Sequence, residues 1–66
     1  MQNKLKVARA QRAITQADLA AALAISRQTV ISIEQGRYVP STTLALKLAR
    51  YFGQAVEDLF ELEEND

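Results

Sequence analysis

Apolar residues recur along this chain at helical rather than strand spacing. Leu5, Ala8 and Arg12 fall on related faces of a first helix, which Asn3 can cap and which runs through Ala13. Thr15-Gln16-Ala17-Asp18 has the form of a capping box, in which the first and fourth side chains satisfy each other's backbone amides, here with Asp in place of the preferred Glu or Gln. Leu19, Ala20 and Leu23 follow at helical spacing. Ser26 can cap a third helix from Arg27 to about Gln35, with Val30 and Ile33 pointing one way and Gly36 suited to end it in a left-handed conformation. Pro40-Ser41 leads into a fourth helix, in which Leu44, Ala45, Leu48, Ala49 and Phe52 make one apolar stripe, and Gly53 stops it. A short fifth helix, about Val56 to Phe60, completes the set. The expectation is an all-α domain of five helices over residues 1–60, followed by a tail, 61–66. Phe60-Glu61-Leu62-Glu63 alternates as a half-buried strand does, but it is a short run.

The second and third helices are joined only by Ala24-Ile25-Ser26, and two helices with so short a turn cross steeply. Leu19, Ala20 and Leu23 then meet Val30 and Ile33 at the corner. The opposite face of the third helix is left exposed, and on it lie Arg27, Gln28, Ile31, Ser32 and Gln35. Arg can bind guanine O6 and N7 with two hydrogen bonds, Gln can pair with adenine N6 and N7, and Ser serves either. The face carries no acidic residue, unlike an ordinary solvated helix, which favours Glu and Lys. Ile31 either meets a thymine methyl or is simply an exposed apolar residue.

Composition first looks unfavourable to a nucleic-acid partner. The chain has 66 residues, 8 Lys+Arg and 8 Asp+Glu, for a formal net charge of zero, whereas nucleic-acid binders are usually basic. The zero is a cancellation. Residues 1–50 hold every basic residue and only Asp18 and Glu34, a net of +6; residues 51–66 hold Glu57, Asp58, Glu61, Glu63, Glu64 and Asp66, a net of −6. With no Cys and no His, thiolate zinc sites, thiol redox chemistry and Cys or His nucleophiles are excluded. The carboxylates lack calcium-loop spacing and cluster near one end, so neither an enzyme, a metal site nor a cofactor is expected. The longest apolar stretch is Leu19–Ile25, well short of the ~20 residues that span a bilayer. No signal peptide is read, and a cytoplasmic protein is expected.

Five blocks in order, Thr15-Gln16-Ala17-Asp18-Leu19-Ala20, Ile25-Ser26-Arg27-Gln28-Thr29-Val30, Ile33-Glu34-Gln35-Gly36-Arg37, Pro40-Ser41 and Leu44-Ala45-Leu46-Lys47-Leu48-Ala49, resemble the phage-repressor-like (XRE) helix-turn-helix family of bacterial transcriptional regulators. The resemblance runs from about Leu5 to Phe60. It implies a five-helix DNA-binding domain whose helix-turn-helix is helices two and three. It implies base contacts from Arg27, Gln28 and Ser32 in the major groove; Ile31 is unusual at its position. It also implies backbone contacts from Gln16, Thr29, Gln35 and Gly36, with Arg37 and Tyr38 alongside. Arg9 and Glu34 match a family pair that orients the recognition helix and aims Arg9 at the DNA backbone; a purely structural ion pair is the other reading. The sequence departs from the family at Ala24 and Ala13, where glycines are usual, and at Ala55, where a Ser or Thr cap is usual. Ala24 therefore implies a strained turn or a different geometry, and Ala55 a frayed fifth helix.

Regulators of this class bind palindromic double-stranded DNA as homodimers, with recognition helices about 34 Å apart. Val56, Leu59, Phe60 and Leu62 are the expected apolar contacts of a twofold interface, against a solvated acidic end for 63–66. The competing reading is a protein-interaction module on the same scaffold, such as an antitoxin or partner-controlled switch, with Ile31, Tyr51 and Leu62 at the partner surface.

Overall fold

The computed structural model describes residues 1–66. In chain order its elements are β1 (Gln2–Asn3), α1 (Leu5–Gln11), α2 (Gln16–Leu23), α3 (Arg27–Glu34), α4 (Thr42–Phe52), α5 (Val56–Leu59) and β2 (Phe60–Glu61). The five expected helices are present, and a short antiparallel ladder joins the two ends of the chain.

Three helices begin on the side chains that the sequence marks. Thr15 Oγ1 accepts from the Asp18 amide at 3.0 Å, and Asp18 Oδ2 accepts from the Thr15 amide at 2.9 Å, so the capping box is closed. Ser26 Oγ accepts from the Thr29 amide at 3.0 Å, and Ser41 Oγ from the Leu44 amide at 3.1 Å. The two Thr15 hydrogen bonds, the backbone one first, hold the Asp18 carboxyl below its usual range. A carboxylate depressed in the folded state adds stability that is complete above its unfolded pKa and is lost as pH falls through the folded one. Asp18→Asn should therefore flatten part of the acid limb of a plot of urea midpoint against pH, with little change near neutrality.

The first four helices end in one way. A left-handed residue follows each helix, and the next amide reaches back five residues. These pairs are Ala13 with Ile14 N to Arg9 O, Ala24 with Ile25 N to Ala20 O, Gly36 with Arg37 N to Ser32 O, and Gly53 with Gln54 N to Ala49 O. Such a turn satisfies carbonyls that the helix leaves orphaned. At Ala13 and Ala24 φ is +55°, so the left-handed geometry that a glycine would take is kept with a Cβ in place. An Ala in this region is strained by roughly 1–2 kcal/mol, partly offset by the freedom glycine adds to the unfolded chain. Ala24→Gly should raise stability by about 0.5–1 kcal/mol, read as a higher urea midpoint.

Three boundaries differ from expectation. The first helix starts at Leu5, not beside Asn3, and stops at Gln11 rather than Ala13. Asn3 is drawn into the ladder, where Gln2 pairs with Glu61 and Asn3 with Phe60. The fifth helix ends at Leu59, because Phe60 is extended at φ −123° and ψ 141°. Ala55 indeed supplies no side-chain cap.

The core is a single cluster. Leu5 and Ala8 of α1, Leu19 and Ala20 of α2, Val30 and Ile33 of α3, Leu48 and Phe52 of α4, Leu59 and Phe60 close on one another. Arg12 lies over the rings of Tyr51 and Phe52, at 5.2 and 5.4 Å from their centroids. Beyond the ladder, the acidic residues turn back on the chain start: the Met1 ammonium meets Asp66 Oδ1 at 3.1 Å and Glu63 Oε1 at 3.3 Å. No helix is long and apolar enough to cross a membrane.

Candidate nucleic-acid interface

Burying Val30 and Ile33 against α2 turns the remaining sides of α3 outward. Arg27, Gln28 and Gln35 are exposed, and Thr29, Ile31 and Ser32 are half-buried. Gln28 Nε2 lies 3.5 Å from Ser32 Oγ, one helical turn on. Thr29 Oγ1 and Ser26 Oγ are 2.7 Å apart, which fixes both hydroxyls at the start of the helix. Tyr38 is exposed and stands beside Ser26, Gln28, Thr29 and Ser32. This surface is rich in amide, guanidinium and hydroxyl groups and has no carboxylate.

The far end of α3 is fixed by charge. Glu34 is its last residue, where the helix dipole disfavours an anion. Arg9 meets it in a forked contact, Nε to Oε2 at 2.6 Å and Nη2 to Oε1 at 3.0 Å. The two side chains are 13% and 7% exposed. Arg9 Nη1 also donates to Ile14 O at 3.1 Å, and Gln16 Nε2 donates to Glu34 Oε1 at 3.1 Å. The Glu34 carboxylate raises the Arg9 pKa, chiefly through the hydrogen bond and against the effect of burial. Glu34 thus ties α1, the start of α2 and the end of α3 together.

Above this network lies an open concavity lined by Arg9, Ile14, Thr15, Gln16, Ala17 and Arg27. It places the α2 N-terminus beside two arginines, a setting that favours a phosphate. Three Arg9 donors are already committed to the protein.

A helix-turn-helix family profile matches residues 5–59. The chain belongs to the XRE-type helix-turn-helix family. Its five helices are those of that family's small all-α DNA-binding domain, with α2 and α3 as the helix-turn-helix. It is 52% identical, over the whole of both chains, to an uncharacterized HTH-type transcriptional regulator of Methanocaldococcus jannaschii. It is 46% identical, again over the whole of both, to one of Bacillus subtilis. A third, of Archaeoglobus fulgidus, is 38% identical over all of this chain and 93% of its own length.

Within this XRE-type domain, the four residues expected to touch the DNA along its backbone besides Arg9 and Gln16 are distributed around α3. Thr29 is near its start, and Gln35, Arg37 and Tyr38 follow its end. The four residues expected at a twofold interface separate. Leu59 and Phe60 are 1% and 8% exposed, buried in the core of their own chain. Val56 is half-buried, and Leu62 is 77% exposed. Of the residues assigned to a protein-partner surface, Tyr51 lies under Arg12 and edge-on to Phe52. One residue at this site was expected only as a cap. Asn3 Nδ2 donates to Ile33 O at 2.8 Å, thirty positions away. A two-residue strand has no periodicity to show, so nothing in the local pattern marks this contact.

Proposed function

We propose that the protein is a sequence-specific, double-stranded DNA-binding transcriptional regulator, a repressor that acts as a homodimer on a palindromic operator. The observation that carries this reading is the outer face of α3, which has Arg27, Gln28 and Ser32 accessible, no acidic residue, and both helix ends fixed. Arg27, Gln28 and Ser32 read base edges, and Ile31 meets a thymine methyl. Gln16, Thr29, Gln35, Arg37 and Tyr38 hold the phosphates. Arg9 chiefly orients α3 and turns its remaining donors to the backbone. Residues 1–60 form the reading domain, and 61–66 an acidic tail. Because Leu59 and Phe60 are spent on the core, the twofold contact rests on Val56 and Leu62.

The test is selection from randomised oligonucleotides, then sequencing. The expected result is one palindromic motif with half-sites a helical turn apart. Unselected sequences would overturn the reading. Arg27→Ala should weaken binding to the selected site by about 1–3 kcal/mol in a fluorescence-anisotropy titration and relax preference at one base pair.

A further inference from the structure

We propose that Asn3 is a positioning residue for DNA reading, which fixes the recognition helix α3 to the β1–β2 ladder. The proposal rests on the functional reading above and adds a residue to it. Ile33 O is one of the last carbonyls of α3, which lack partners within the helix. It accepts from the Gly36 amide at 2.9 Å and from Asn3 Nδ2 at 2.8 Å. Asn3 is itself held on two sides. Its Oδ1 accepts from the Leu5 amide at 3.2 Å, and its backbone is paired with Phe60. Lys4 N donates to Leu59 O at 2.9 Å, which extends the same seam.

The last two residues of α3 are therefore gripped by one short stretch of chain, Ile33 through Asn3 and Glu34 through Arg9. The two grips differ. Arg9 acts through the rotatable bonds of the Glu34 side chain, whereas Asn3 binds the helix backbone directly. An eight-residue helix is about 12 Å long, so tilting it by about 10° about its far end moves its first residues by about 2 Å. Hydrogen bonds to base edges tolerate only a few tenths of an ångström. A backbone anchor at the C-terminal end thus governs whether Arg27 and Gln28, at the other end, reach their bases together. The ladder also runs into α5 and Leu62, so the anchor links the proposed twofold face to the reading helix.

Asn3→Asp tests this. It keeps an acceptor for the Leu5 amide and the backbone pairing, and removes the donor to Ile33 O. Gln2→Ala, an exposed change on the same strand, is the control. Wild type and both variants are titrated with the selected operator and with scrambled DNA, at a temperature where circular dichroism shows each to be folded. The expected result is a loss of about tenfold in operator-over-scrambled discrimination for Asn3→Asp, about the worth of one two-pronged base contact, with scrambled binding and Gln2→Ala near wild type. Should Asn3→Asp fail to fold, Asn3→Ala removes the same donor without a charge beside the carbonyl, at the cost of the acceptor for the Leu5 amide as well. A lower melting temperature with unchanged discrimination means that Asn3 is only structural and overturns the inference alone. A wild type that does not discriminate overturns the functional reading and this inference with it.

Discussion

Arg9→Ala is expected to remove about 3–5 kcal/mol of stability, as much as truncating a core side chain. Glu34 is 7% exposed and ends α3. Without Arg9 its carboxylate would face the negative end of a helix dipole with only the Gln16 amide as partner. A domain of this length has about 3–10 kcal/mol in all, so a large fraction of the variant should be unfolded at room temperature. The penalty comes from stranding a charge, not from losing a favourable bond. It follows that Arg9→Met with Glu34→Leu should recover most of the loss, because a pair of apolar groups strands no charge and leaves only the Ile14 carbonyl and the Gln16 amide to turn to water. Urea denaturation of the two single variants and the double variant measures this directly. A loss below about 1 kcal/mol for Arg9→Ala would mean that the pair behaves as an exposed one, and that α3 is held by other contacts.

The double variant also separates folding from reading. Restored stability without restored operator binding would assign Arg9 and Glu34 to the aim of α3 as well as to its attachment. Restored binding would leave that aim to the Asn3 contact and the core.

The capping residues were the most legible part of the fold. Thr15, Asp18, Ser26 and Ser41 act over three or four residues, and a hydrogen bond of such short range is written in the local sequence. The outer face of α3 was legible for a related reason: once Val30 and Ile33 are assigned inward, geometry places Arg27, Gln28 and Ser32. The turn at Ala24 was legible as a question. The sequence showed a Cβ where a glycine is usual, and only the backbone, at φ +55°, decided for strain over a different geometry. The ladder was not legible. Phe60 carries the right alternation with Glu61, but its partner strand is two residues of polar side chains with no pattern. Pairing across nearly the whole chain depends on how the helices bring the ends together. The same lack of long-range information put Leu59 and Phe60 at an interface, since an apolar residue near a terminus reads alike whether it faces its own core or a second copy.

Binding to the selected operator should fall by about a thousandfold between about 50 and 200 mM salt, for a twofold complex that neutralises roughly six phosphates. The slope of log affinity on log salt would be about −5. Three phosphates per chain are counted, at Gln16 with the α2 N-terminus, at Thr29 and at Arg37, since Arg9 is committed chiefly to Glu34, Arg12 to Tyr51 and Phe52, and Arg27 to base edges. A slope near zero would remove DNA as the partner. The acidic end makes the measurement more discriminating. Truncation after Glu61 keeps the ladder and removes Leu62 together with Glu63, Glu64 and Asp66. Loss of like charge should strengthen binding to scrambled DNA, most at low salt, where screening is weakest. Loss of Leu62 should weaken operator binding, because the two reading helices would no longer be held one turn apart. Opposite signs on the two DNAs are the expected outcome. A rise on both would reduce the tail to electrostatic repulsion and move the twofold contact elsewhere on the chain.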